Sequence, residues 1–144
     1  MQKDIIKTLI IQHKGLVKDI TKVAEIMEKN EKDHSQEIVA NLNIFKDHLL
    51  KHLKLENEVF YIELLKAMKQ EGIKTELTEA FINEMTALQK VVLGFLDKYT
   101  AQIISQDFNN FKLDFEKIKQ ALALRIESEE EGVYVSAKSY LQLE

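Results

Sequence analysis

Four stretches of this 144-residue chain carry apolar residues at three- and four-residue steps, with only short polar breaks between them. That spacing marks amphipathic helices, each with one stripe to bury. The chain contains no proline and four glycines, so little in it would interrupt a long helix. In the first stretch, about Gln2 to Glu28, the series is Ile6, Leu9, Leu16, Ile20, Val23 and Met27, and His13 falls between Leu9 and Leu16. After the polar break at Asn30 to Asp33, a capping box of Asp33 and Gln36 is expected to open the second stretch. Its stripe reads Ile38, Leu42, Phe45, Leu49, His52, Glu56, Phe60 and Glu63, and Gly72 is placed to end it in a left-handed conformation.

The third stretch begins near Thr75 and carries Leu77, Phe81, Leu88, Val91, Val92, Phe95 and Tyr99, with Glu84 and Met85 in mid-face. A polar loop around Ser105-Gln106-Asp107, with Asp107 as N-cap, leads to the fourth. That one carries Phe111, Phe115, Ile118, Leu122, Arg125, Glu129 and Val133 on the way to Tyr140. Helices near 25 residues are about 37 Å long. The pattern predicts an all-α fold, an antiparallel up-down-up-down four-helix bundle, formed as a single domain by residues 1–142. The terminal Leu143-Glu144 is read as a cloning scar.

Several function classes are disfavoured by residue type. Cysteine is absent, which excludes disulfides and thiolate metal sites, so any metal here needs nitrogen and oxygen ligands. The net charge is −4 and the lysines are interspersed with acids, so no basic patch is set up for nucleic acid. The apolar run Ile5 to Ile11 is too short and too interrupted for a membrane span or a signal peptide. A cytoplasmic protein is expected. No nucleophile–base pair, phosphate loop or nucleotide motif is present, and the expectation is that the chain is not an enzyme.

His52 and Glu56 stand four residues apart on an apolar stripe, which directs an imidazole and a carboxylate together into a helical core. A lone histidine on such a face is more often a hydrogen-bonded core residue than a ligand, so the question is what else converges there. An internal repeat supplies an answer. His48 to Tyr61 matches Ala121 to Tyr134, with Phe45 on Ile118, Leu49 on Leu122, Leu53 on Ile126 and Tyr61 on Tyr134. Likewise His13 falls on Met85, Leu16 on Leu88, Ile20 on Val92 and Val23 on Phe95. Each half is a helical hairpin with one distinctive position on its first helix and an i, i+4 pair on its second, and these positions share one central layer.

A lone histidine followed by His-x-x-x-Glu, repeated over four helices, resembles the hemerythrin-like (HHE cation-binding) proteins over nearly the whole chain. The resemblance implies a four-helix bundle around non-haem iron. It also implies a role in oxygen binding, in iron or redox sensing, or in nitric oxide and peroxide chemistry. Carried over position by position, His13 matches the first histidine, His52 and Glu56 the first His-x-x-x-Glu pair, and Glu129 the second glutamate. Met85 and Arg125 stand where the other two histidines belong, and the proline that often follows each glutamate is missing. The metal ligands expected are therefore His13, His52, Glu56 and Glu129, with Glu84 as an additional oxygen donor beside Met85.

This set suits one iron ion or none, rather than a full di-iron centre. Methionine sulfur is a poor ligand for a hard cation, and a guanidinium cannot ligate at all. Two readings stay open. In one, the chain is a cation-binding protein with an incomplete iron site and a sensing, binding or regulatory role. In the other, it is a metal-free helical interaction module in which Arg125 pairs with Glu129 and reaches Glu56 or Glu84. The metal ion is the only partner the residues suggest, and no protein partner is indicated.

Overall fold

The computed structural model describes residues 4–29 and 31–141, and among these residues every regular element is a helix. Helix α1 spans Ile5–Met27 and α2 spans Glu31–Leu55. A five-residue π-helical turn, Glu56–Phe60, joins α2 without a break to α3, Tyr61–Gln70. Helix α4 covers Glu76–Lys98 and a short α5 covers Ala101–Gln106. Helix α6, Phe108–Ser128, passes through a second π turn, Glu129–Val133, into α7, Tyr134–Tyr140. Four long helical stretches thus span residues 5–27, 31–70, 76–98 and 108–140. No helix among the described residues is long and apolar enough to cross a membrane.

The element ends follow local chemistry. Gly72, at φ 71°, closes α3, and the Ile73 N–H reaches back to the Met68 carbonyl at 2.9 Å. This is the left-handed residue that a helix end favours and that glycine adopts without a Cβ clash. Asp107 caps α6 by accepting from the Asn110 N–H at 3.3 Å. The region expected as a loop around Ser105 is instead α5, begun by Thr100, whose side chain accepts from the Ile103 N–H. The capping box at Asp33 and Gln36 involves a side chain outside the described residues, and α2 is already helical from Glu31.

Two apolar clusters bracket the middle of the molecule. The larger gathers residues from α1, α2, α4, α5 and α6, including Leu16, Ile20, Phe45, Leu49, Met85, Val92, Phe111, Phe115 and Leu122. The smaller joins Ile5, Ile6 and Leu9 of α1 to Phe60, Tyr61, Leu64, Met68, Tyr134 and Ala137. His13, His52, Glu56, Arg125 and Glu129 fall near the boundary between the two clusters along their helices, and all five are buried. The buried stripe departs from strict helical spacing after each π turn: Tyr61 is buried in place of Glu63, ahead of the apolar Leu64 and Met68, and Tyr134 in place of Val133. On α4, Leu77 and Val91 face solvent, 88% and 60% exposed, so its buried face is narrower than its apolar residues suggest.

Candidate metal centre

Each π turn begins on a buried glutamate and is followed at once by a buried tyrosine. The Tyr61 N–H bonds the Glu56 carbonyl and the Tyr134 N–H bonds that of Glu129, an i to i+5 closure in both cases. In an α-helix, residues five apart diverge by about 140° around the axis. The extra residue of a π turn brings them back to one face. Both the carboxylate and the phenol therefore point inward, and the phenols cross over to the opposite half. Tyr61 donates to Glu129 Oε2 at 3.1 Å, and Tyr134 donates to Glu56 Oε2 at 2.5 Å.

Four side chains converge at the centre. His13, His52, Glu56 and Glu129 each offer one ligand atom, and these four atoms lie within 4.8 Å of one another. His13 Nε2 is 3.0 Å from Glu129 Oε1, and His52 Nε2 is 3.7 Å from Glu56 Oε2. The two imidazole rings lie 4.6 Å apart between centroids. Their outer nitrogens are both engaged: His13 Nδ1 bonds Glu130 Oε2 at 2.7 Å, and His52 Nδ1 bonds Gln12 Oε1 at 2.8 Å. A carboxylate and an amide oxygen accept there, which puts a proton on each Nδ1; His52 Nε2 is thereby turned inward as a lone pair, while His13 Nε2 faces Glu129. Metal-binding histidines are commonly held in this way.

The electrostatics divide the two glutamates. Burial, and then the charge of Glu129, push the Glu56 carboxyl well above its ordinary range. Burial also opposes the charge on Glu129, yet the polar contacts with His13 and Glu56 and the Arg125 charge hold its carboxyl below the usual range. Burial and the neighbouring His13 depress His52 to about 4, so this imidazole is neutral. Burial, together with the charges on Glu56 and Glu129, raises both phenols above the ordinary tyrosine value. Glu56 Oε1 is buried and has no hydrogen-bond partner. Such an orphaned acceptor is what a bound cation would satisfy.

Arg125 lies beside this group. Its Nε is 3.4 Å from Glu129 Oε2, while Nη1 donates to the Phe81 carbonyl at 2.8 Å and Nη2 to Tyr61 Oη at 3.2 Å. The guanidinium also stacks over the Phe81 ring, 3.5 Å from its centroid. It pairs with Glu129 as expected but makes no hydrogen bond or ion pair to Glu56 or Glu84; a backbone carbonyl and a phenol take those bonds instead. Met85 is buried, whereas Glu84 is exposed and stands outside the cluster. One residue is a 100° turn on a helix, so burying Met85 rotates its neighbour towards solvent. His48 is half exposed and bonds Asp19 at 2.6 Å, away from the centre.

The donor set fits one cation. Two imidazole nitrogens and two carboxylates suit a single transition-metal ion, and a fixed positive charge on Arg125 disfavours a second beside it. A buried His/Glu cluster within a helical core is a site that could hold a cation. The hemerythrin HHE cation-binding domain matches residues 4–136, and the chain belongs to that family. No curated protein and no solved structure matches the chain.

Sequence reasoning missed Tyr61, Tyr134, Gln12 and Glu130 as members of the site. The two tyrosines were superposed in the internal repeat, and that coincidence was their signal. Gln12 and Glu130 each adjoin a cluster residue, next to His13 and Glu129, and have no periodic signature of their own.

Proposed function

We propose that this protein binds one non-haem iron ion through His13, His52, Glu56 and Glu129 and serves a sensing or regulatory role rather than an enzymatic one. The observation that carries this reading is the convergence of four buried ligand atoms within 4.8 Å, with both imidazoles oriented from behind by Gln12 and Glu130. Bound iron supplies a centre whose charge changes with oxidation, which is the signal a redox or oxygen sensor reads. The chain's own residues prepare for it. The orphaned Glu56 Oε1 gains a partner, while neutral His52 presents its lone pair without first losing a proton. The four long helical stretches are read as the up-down-up-down bundle of the family, with α5 a short insertion between the third and fourth. Antiparallel pairing is supported by His13 against His52, Asp19 against His48, and Tyr99 against Asp114.

Loading the purified protein with ferrous iron in air, followed by metal analysis, tests the reading. About one iron per chain is expected, and His52→Ala is expected to abolish it. No iron above background in the parent protein would refute it.

A metal-free interaction module is the second reading, favoured by one observation: Arg125 already supplies the second half with a buried cation. On that reading a chelator leaves the melting temperature unchanged. On the first, it lowers that of the loaded protein.

A further inference from the structure

Each π turn delivers a tyrosine to the centre, but the two phenols are served differently. Tyr61 donates to Glu129 Oε2, and its own oxygen accepts from Arg125 Nη2 at 3.2 Å. Both roles of that hydroxyl are filled by protein groups. Tyr134 donates to Glu56 Oε2 at 2.5 Å, and the atom facing its oxygen is His13 Nε2 at 3.3 Å. His13 gives its Nδ1 proton to Glu130. Its Nε2 therefore either presents a lone pair or gives a second proton to Glu129, which is nearer at 3.0 Å. The Tyr134 oxygen thus faces an imidazole nitrogen already engaged with Glu129, where its counterpart in the first half faces a guanidinium.

We infer that Tyr134 is a fifth ligand of the ion held by His13, His52, Glu56 and Glu129, its phenolate oxygen drawing from the metal the positive charge that Tyr61 draws from Arg125. The inference rests on the metal-binding reading above. Ligands about 2.0–2.2 Å from one ion stand roughly 3 Å from their neighbours in its coordination shell. Tyr134 Oη meets that spacing with Glu56 Oε2 and His13 Nε2, as does His13 Nε2 with Glu129 Oε1. The phenol oxygen is thus at coordination-shell spacing from two of the four ligand residues.

The ring is held in position. It stacks on His13 with centroids 5.6 Å apart and meets the edge of Phe60 at 5.3 Å, and the residue is 1% exposed. On ligation the phenol O–H bond breaks, its electron pair goes to the metal, and the proton passes to bulk water. A phenolate is a hard anionic donor, so its presence biases the site towards ferric over ferrous iron.

The test compares the parent protein with Tyr134→Phe and Tyr61→Phe after aerobic iron loading, by metal content, visible absorption and resonance Raman scattering. The parent and Tyr61→Phe are expected to show a phenolate-to-ferric charge-transfer band with enhanced phenolate ring modes. Tyr134→Phe is expected to lose both and to bind iron at least about tenfold more weakly. Iron bound to the parent without the band overturns the ligand role and leaves the metal site standing. No iron in the parent overturns both. A band that survives in Tyr134→Phe also overturns the assignment. Raman scattering from the parent needs no substitution, so a variant that fails to fold does not shield the inference.

Discussion

Arg125 holds in the second half the position that His52 holds in the first, and the two side chains face a buried glutamate one turn on in different charge states. Arg125 does so with a permanent charge shared among Glu129, Tyr61, the Phe81 carbonyl and the Phe81 ring. Removing one partner of a buried ion pair leaves the other uncompensated, at a cost of about 3–5 kcal/mol. Arg125→Ala is therefore expected to lower the stability of the metal-free protein by that order, read from the urea midpoint. His52 shows the opposite solution, a neutral imidazole. Its value of about 4 in the folded protein lies below the ordinary 6.5, so on acidification the unfolded chain takes up the proton first. Stability of the metal-free protein is unaffected by this group above pH 6.5. It falls as the pH drops from there towards 4, by up to about 3 kcal/mol. His52→Gln is expected to flatten that part of the pH–stability curve, measured by thermal melts across the window.

The helices themselves were largely legible in the sequence, and the reasons where they were not are local. The α-helical period places His13, His52, Glu56 and Glu129 on inward faces, and the structure brings these four together. Glu84 was misread because adjacency in sequence to a buried Met85 means a different face on a helix. The tyrosines were invisible to a 3.6-residue count, since the π turns break that count just after Glu56 and Glu129. Two glycines separate strain from mere flexibility at this scale. Gly72 sits at φ 71°, and Gly72→Ala is expected to cost about 1–2 kcal/mol, because a Cβ is disfavoured there. Gly132 lies in the second π turn with open space where a Cβ would go, at a helical rather than left-handed φ. Gly132→Ala is expected to stabilise by about 0.5–1 kcal/mol in the same denaturation assay.

At the scale of the whole molecule, the polar layer lies between two apolar clusters. Phe45, Phe60, Phe111 and Phe115 are fully buried in those clusters, and truncating a buried phenylalanine to alanine costs about 3–5 kcal/mol. Such packing offsets the burial of five ionisable side chains, and a ligand that satisfies them adds to it. Metal present at 100 times its dissociation constant stabilises the native state by about 2.7 kcal/mol. A chelator is accordingly expected to lower the melting temperature of the loaded protein and to leave the His52→Ala variant unmoved.

The central claim is that one ion, and not two or none, belongs at His13, His52, Glu56 and Glu129. The direct measurement is iron per chain after aerobic loading and removal of free metal, on the parent protein and on His52→Ala. A ratio near one is expected in the parent and near zero in the variant. A ratio near two, or iron no higher than background in the parent, would contradict it.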